Sequence, residues 1–108
     1  MKIINPYEGS FDLPWFKGDL HIHSNLSDGR ATRQEIQSRL LECGFDFAAL
    51  ADHDRYFPTR EDFHPLFIGN SEMRSREGGD MLTLFAEIKH DPQSGVQDLI
   101  ERTRKAGG

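Results

Sequence analysis

The stretch from Thr32 to Ala51 leaves a chain of this kind few folds to choose from. Thr32-Arg33-Gln34-Glu35 has the residues of a reciprocal helix cap, with Thr32 as N-cap and Glu35 reaching back to its amide. Ile36, Leu40 and Cys43, with Leu41 alongside, then recur at helical period and give one apolar stripe. Gly44 supplies the left-handed residue that stops the helix. Phe45 to Ala51 is a mostly apolar run, the signature of a strand buried on both faces in a parallel sheet. With a strand predicted over Gly18 to Ser24, the order is strand, capped helix, glycine, buried strand. That is a βαβ unit with a right-handed crossover, and the fold class is α/β.

The remainder extends the same grammar. Residues 1–16, with Pro6, Gly9, Pro14 and scattered aromatics, read as an irregular N-terminal arm, and residues 17–108 as the domain. Arg55 to Pro65 reads as a loop. Leu66-Phe67-Ile68 starts a third strand that continues to Glu72, and Arg74 to Asp80 is a charged turn centred on Gly78-Gly79. Met81 to Ile88 is apolar enough for another strand. Ser94-Gly95-Val96-Gln97 offers a second capping box, followed by Val96, Leu99, Ile100 and Thr103 at helical period. The sequence ends where a helix hands over to a strand, so the expectation is an N-terminal portion of a larger domain, truncated at its C-terminal side.

Composition sets the outer limits. The chain has 108 residues, 36% of them hydrophobic, enough for one small core. No window approaches the ~18 consecutive apolar residues of a membrane span, and Met1 to Pro6 shows no secretory signal. The expected location is cytoplasmic, without a membrane partner. A formal net charge of -5 argues against a general nucleic-acid-binding surface, although bound divalent cations would still permit an anionic substrate. Cys43 is the single cysteine, which rules out an internal disulfide; it reads as a packing residue.

Chemistry-bearing residues fall at predicted strand ends. In Asp19-Leu20-His21-Ile22-His23 the imidazoles alternate with aliphatic residues, so a strand turns both to one face. Asp28 follows in the loop, His53 ends the second strand and Glu72 ends the third. His-x-His alone is equally the polar face of an ordinary strand. Four elements each bringing a ligand-type residue to the C-terminal rim of a parallel sheet, where α/β folds bind ligands, point instead to a divalent metal. Glu87 and His90 are rivals for the place of Glu72, which is preferred because Gly69 precedes it and the Gly78-Gly79 turn follows.

Leu20-His21-Ile22-His23-Ser24, Ser27-Asp28-Gly29 and Ala51-Asp52-His53-Asp54, in this order and spacing, resemble the N-terminal half of a polymerase-and-histidinol-phosphatase (PHP) domain. Phe67-Ile68-Gly69-Asn70-Ser71-Glu72 resembles the family's third motif more loosely, with two residues between glycine and glutamate. Asp80 stands where the family often has a histidine, and Ala51 where it has a threonine. The resemblance covers residues 15–108. It implies the N-terminal part of a distorted, TIM-like (βα)7 barrel and a cluster of two or three divalent ions, zinc, manganese or iron. Carried over by position, His21 and His23 would hold one ion and Asp28 with His53 another. Glu72 would bridge two, and Asp80 would be a further ligand.

The function so implied is a metal-dependent phosphoesterase, a hydrolase of phosphomonoesters or nucleotide-type phosphoesters working through a metal-activated water. Asp52 and Asp54 would orient an imidazole. Arg30, Arg55, Arg74 and Arg76 fall in predicted loops on or near the metal rim, where one of them, Arg30 or Arg55 first, would clamp a substrate phosphate; the alternative for each is a solvated surface charge. The alternatives are a non-catalytic metal-binding module and an inactive fragment. Open strand edges would favour self-association of a truncated chain.

Overall fold

A computed structural model describes residues 13–108 of the chain. Most of the expected N-terminal arm, residues 1–12, lies outside the described residues. Leu13 to Phe16 has no regular structure and exposes Leu13, Trp15 and Phe16. The described elements are β1 (Gly18–Ile22), α1 (Arg33–Glu42), β2 (Phe47–Leu50), β3 (Leu66–Phe67), β4 (Glu72–Arg74), β5 (Asp80–Leu82) and α2 (Val96–Lys105). β1, β2 and β3 form a parallel sheet in that order, while β4 and β5 form an antiparallel hairpin. The fold is α/β. No helix of the described residues is long and apolar enough to cross a membrane.

The βαβ unit forms as its sequence signals require. Glu35 N–H donates to Thr32 Oγ1 (3.3 Å) and Thr32 N–H to Glu35 Oε2 (2.7 Å), closing the capping box. A cap of this kind is worth about 1 kcal/mol. Ile36 and Leu40 of α1 are buried against Ala48, Leu50, Phe57 and Phe67; full burial of each aliphatic side chain is worth roughly 1.5–3 kcal/mol. Cys43, expected to pack, is exposed instead, because it is the helix C-cap at the edge of that stripe. Gly44 follows at φ +69°, the left-handed stop. Ala48, Ala49 and Leu50 have no exposed surface, as a strand covered on both faces demands.

β1 departs from simple alternation. Asp19 stands opposite Ala48 but Ile22 opposite Leu50, so β1 carries one extra residue between the two pairs. Asp46 gathers the strand starts: it accepts from Lys17 N–H at 2.6 Å through its carboxylate, and its backbone amide donates to Lys17 O at 2.8 Å.

The third strand is split rather than continuous. Leu66, Ile68 and Glu72 donate their amides to Asp46, Ala48 and Asp52 (3.0, 2.8 and 3.3 Å), so one register is kept from β3 to the start of β4. Between them Asn70 leaves the ladder and pairs with Phe57. β4 then turns back through Gly78, at φ +88°, into β5. The strand expected over Met81 to Ile88 is therefore confined to Asp80–Leu82; the chain leaves it before Phe85, which has φ +62°.

Helix α2 lacks the expected capping box. Its N-cap is Gly95, and the Val96 amide is taken by Glu77 Oε2 at 3.1 Å from the hairpin turn. Ser94 Oγ is engaged by Asp98 (2.5 Å) and Arg102 (2.7 Å). Leu99 is the helix's buried residue, packed with Met73 and Ile88; Val96 is exposed.

Candidate metal centre

The upper end of the parallel sheet brings together three imidazoles and two carboxylates. Glu72 is the hub. Its Oε1 lies 3.1 Å from His21 Nε2, and its Oε2 lies 3.3 Å from His23 Nε2 and 3.2 Å from His53 Nδ1. Asp28 closes the other side, 3.1 Å from His23 Nδ1 and 3.5 Å from His53 Nε2. The side chain of Glu72 is only 9% exposed, whereas that of Asp28 is 67% exposed.

Sequence places each donor for a local reason. The position of Glu72 is fixed on both sides by backbone, its amide on Asp52 O and its carbonyl accepting from Asp54 N–H at 2.9 Å. This parallel bridge sets His53 and Glu72 side by side. Asp28 sits in a tight loop, where Ser27 and Gly29 amides both donate to Ser24 O. Gly29 is required there, since a Cβ would meet His23 O at 2.2 Å.

Asp52 serves the site from behind. It is fully buried and accepts from Ser24 N–H (2.7 Å), Ser24 Oγ (2.6 Å) and Ser27 Oγ (2.8 Å), with the Arg33 guanidinium 4.0 Å away. No imidazole contacts it directly. Ser27 Oγ, which donates to Asp52, lies 3.4 Å from His23 Nδ1, so Asp52 holds the loop that carries Asp28. Asp54, at φ +55°, pairs with His90 Nδ1 at 2.6 Å. The rival histidine of the sequence thus reaches the rim beside the centre, while Glu87 is exposed.

Asp80 is not among the gathered donors. It lies on β5 and pairs with Arg74 Nε at 3.1 Å, across the hairpin. That hydrogen bond, with the charge of Asp80, raises the Arg74 pKa, and the charges of Asp54 and Glu72 add to it. Arg74 therefore stands within the field of the rim. Arg30 and Arg55 are exposed and Arg76 pairs with its neighbour Glu77.

The donor set fits a divalent cation. His21, His23 and Glu72 form one group, and His23, Asp28 and His53 another, each with ligand atoms within 4.8 Å of one another. Two donors ~2.0–2.1 Å from one tetrahedral ion stand about 3.3 Å apart, close to the spacings found here. A buried carboxylate is costly without compensating charge, and Glu72 faces only imidazoles at close range. His23 and His53 each have a carboxylate at both ring nitrogens, Glu72 at one and Asp28 at the other. A neutral ring can therefore give one lone pair to a cation and donate its remaining N–H to the other carboxylate. His23 belongs to both groups but has one lone pair, so the two groups divide its nitrogens between ligation and hydrogen bonding. Around Asp28, desolvation opposes ionisation, but the His23 charge, the residue's own amide and His53 outweigh it and hold the carboxyl below its usual range.

No protein-family model and no solved structure matches the chain. Among curated proteins it is similar to the DNA polymerase/3'-5' exonuclease PolX of Bacillus subtilis (strain 168), at 38% identity over 45 residues. That match takes in 42% of this chain and spans 8% of the length of the polymerase.

Proposed function

We propose that this chain is a divalent-metal-binding module of PHP type whose chemistry is hydrolysis of phosphoesters, of the phosphomonoester or nucleotide kind. The observation that carries the reading is the convergence of His21, His23 and His53 on the two oxygens of the nearly buried Glu72, with Asp28 closing the opposite side. The partial likeness to a polymerase with exonuclease activity gives the reading loose support. The finer architecture proposed is the N-terminal part of a TIM-like (βα)7 barrel, of which β1, β2 and β3 supply successive parallel strands.

A bound divalent ion supplies a Lewis acid for a phosphoryl oxygen and lowers the pKa of water to near 7. The residues of the chain would do the rest. His21, His23 and Glu72 would hold one ion, and Asp28 with His53 another. Asp52 fixes the loop that presents Asp28. Arg30 and Arg55, exposed on loops next to the ligands, would bind substrate phosphate. Asp80 stands apart from the gathered donors and pairs with Arg74, and this favours a second reading, a metal-binding module without turnover.

Hydrolysis of bis(p-nitrophenyl) phosphate and p-nitrophenyl phosphate separates the two readings. The expected result is measurable release of nitrophenolate with manganese or zinc, abolished by a chelator and restored by re-addition. A chain that retains its metal but hydrolyses neither compound is the non-catalytic module.

A further inference from the structure

Asn70 is fully buried, yet it satisfies its amide poorly. Nδ2 donates to Leu20 O at 3.3 Å, and Oδ1 is buried without a partner among the described residues. An apolar side chain would fill the same space and remove the unpartnered oxygen, losing only the bond to Leu20 O. Packing therefore does not account for an amide here. The single bond it makes does, because of where Leu20 lies.

Leu20 and His21 are the residues of β1 between the pairs Asp19–Ala48 and Ile22–Leu50, where β1 has its extra residue. A bulge removes backbone groups from the ladder and re-aims the side chain it carries. Two backbone groups of this irregular stretch are held by side chains: His21 N–H donates to Asp19 Oδ1 at 3.0 Å, and Leu20 C=O accepts from Asn70 Nδ2. Asn70 reaches that carbonyl from the segment that ends in Glu72, although β2 lies between β1 and β3. The same amide thus joins the residue before His21 to the chain two residues before the carboxylate that His21 meets.

We infer that Asn70 is a positioning residue for the metal centre. Its side-chain amide clamps the β1 bulge so that His21 Nε2 is held on Glu72. The inference rests on the metal-binding reading for its consequence, but the clamp itself is a property of the metal-free chain.

The test uses Asn70→Leu, with Asn70→Ala as the variant that cannot overpack, each alone and combined with His21→Ala. Cobalt(II) titration should show affinity lowered about tenfold or more by either Asn70 change, and no further loss when it is added to His21→Ala. In the metal-free chain, the nuclear Overhauser contact between the His21 ring and the Glu72 side chain should vanish while that between His53 and Glu72 persists. Equal losses of cobalt affinity with and without His21 would overturn the inference, since Asn70 would then act on the fold as a whole. Retention of the His21–Glu72 contact in both variants would overturn it as well. If the unmodified chain binds no cobalt, the metal-binding reading fails, and the contact measurement alone still decides the clamp.

Discussion

Glu72→Gln is expected to lower divalent-metal affinity sharply while leaving the metal-free chain at least as stable as before. The carboxylate faces three imidazole nitrogens and is almost out of solvent, so in the proposed centre it is the donor nearest to all three histidines. Glutamine keeps the shape and one acceptor but gives up the charge. Divalent affinity should fall at least about 100-fold, beyond the 10–100-fold typical when a partner hydrogen-bonded to a ligand is lost. Stability moves the other way because a buried charge with no close guanidinium or ammonium is costly to keep. Calorimetric zinc titration and a urea melt of the metal-free variant measure both halves. The same experiment on Glu87→Gln should change neither, since that residue is exposed and is not among the gathered donors. Zinc affinity lost in Glu87→Gln and kept in Glu72→Gln would reverse the assignment.

Asp52→Ala has the largest expected effect on the fold. Removing the carboxylate strands the buried Ser24 amide and hydroxyl, leaves Ser27 Oγ only the longer contact to Asp28, and takes from Arg33 its nearby charge. Breaking a buried, hydrogen-bonded charge in this way costs on the order of 3–5 kcal/mol. For a small domain whose whole stability is about 5–15 kcal/mol, that brings the chain close to unfolding. The urea midpoint should drop sharply. Addition of metal should recover only part of the loss, because the loop carrying Asp28 is no longer tied down. A loss below about 1 kcal/mol would mean that water replaces the carboxylate and the loop does not depend on it.

Much of this arrangement is legible in the sequence because its signals are local. The Thr32–Glu35 cap, the Gly44 stop and the apolar Phe45–Ala51 run each act over a few residues, and they set the βαβ order that puts His21, His23 and His53 at one end of a sheet. The spacing of the motifs likewise singles out Asp28 and Glu72. What escapes a sequence reading depends on partners distant in the chain. Asp52 reads as a partner of His53, but its carboxylate is taken up by Ser24 and Ser27, which are distant in the chain. Ser94 looks like a helix cap until Glu77, from the hairpin, takes the Val96 amide. Asp80 occupies a position suited to a ligand, yet the antiparallel pairing of β4 with β5 sets it against Arg74. The bulge in β1 has no local marker, since neither glycine nor proline lies at Leu20 or His21, and the groups that stabilise it come from Asp19 and Asn70.

The metal content of the purified, folded chain tests the central claim most directly. Elemental analysis after exhaustive dialysis should find about one or more zinc, manganese or iron ions per chain, with His53→Ala folded but holding less. A folded, unmodified chain that takes up no divalent ion, even when titrated, would contradict the account: the imidazoles would then serve Glu72 and Asp28 only as ion-pair partners.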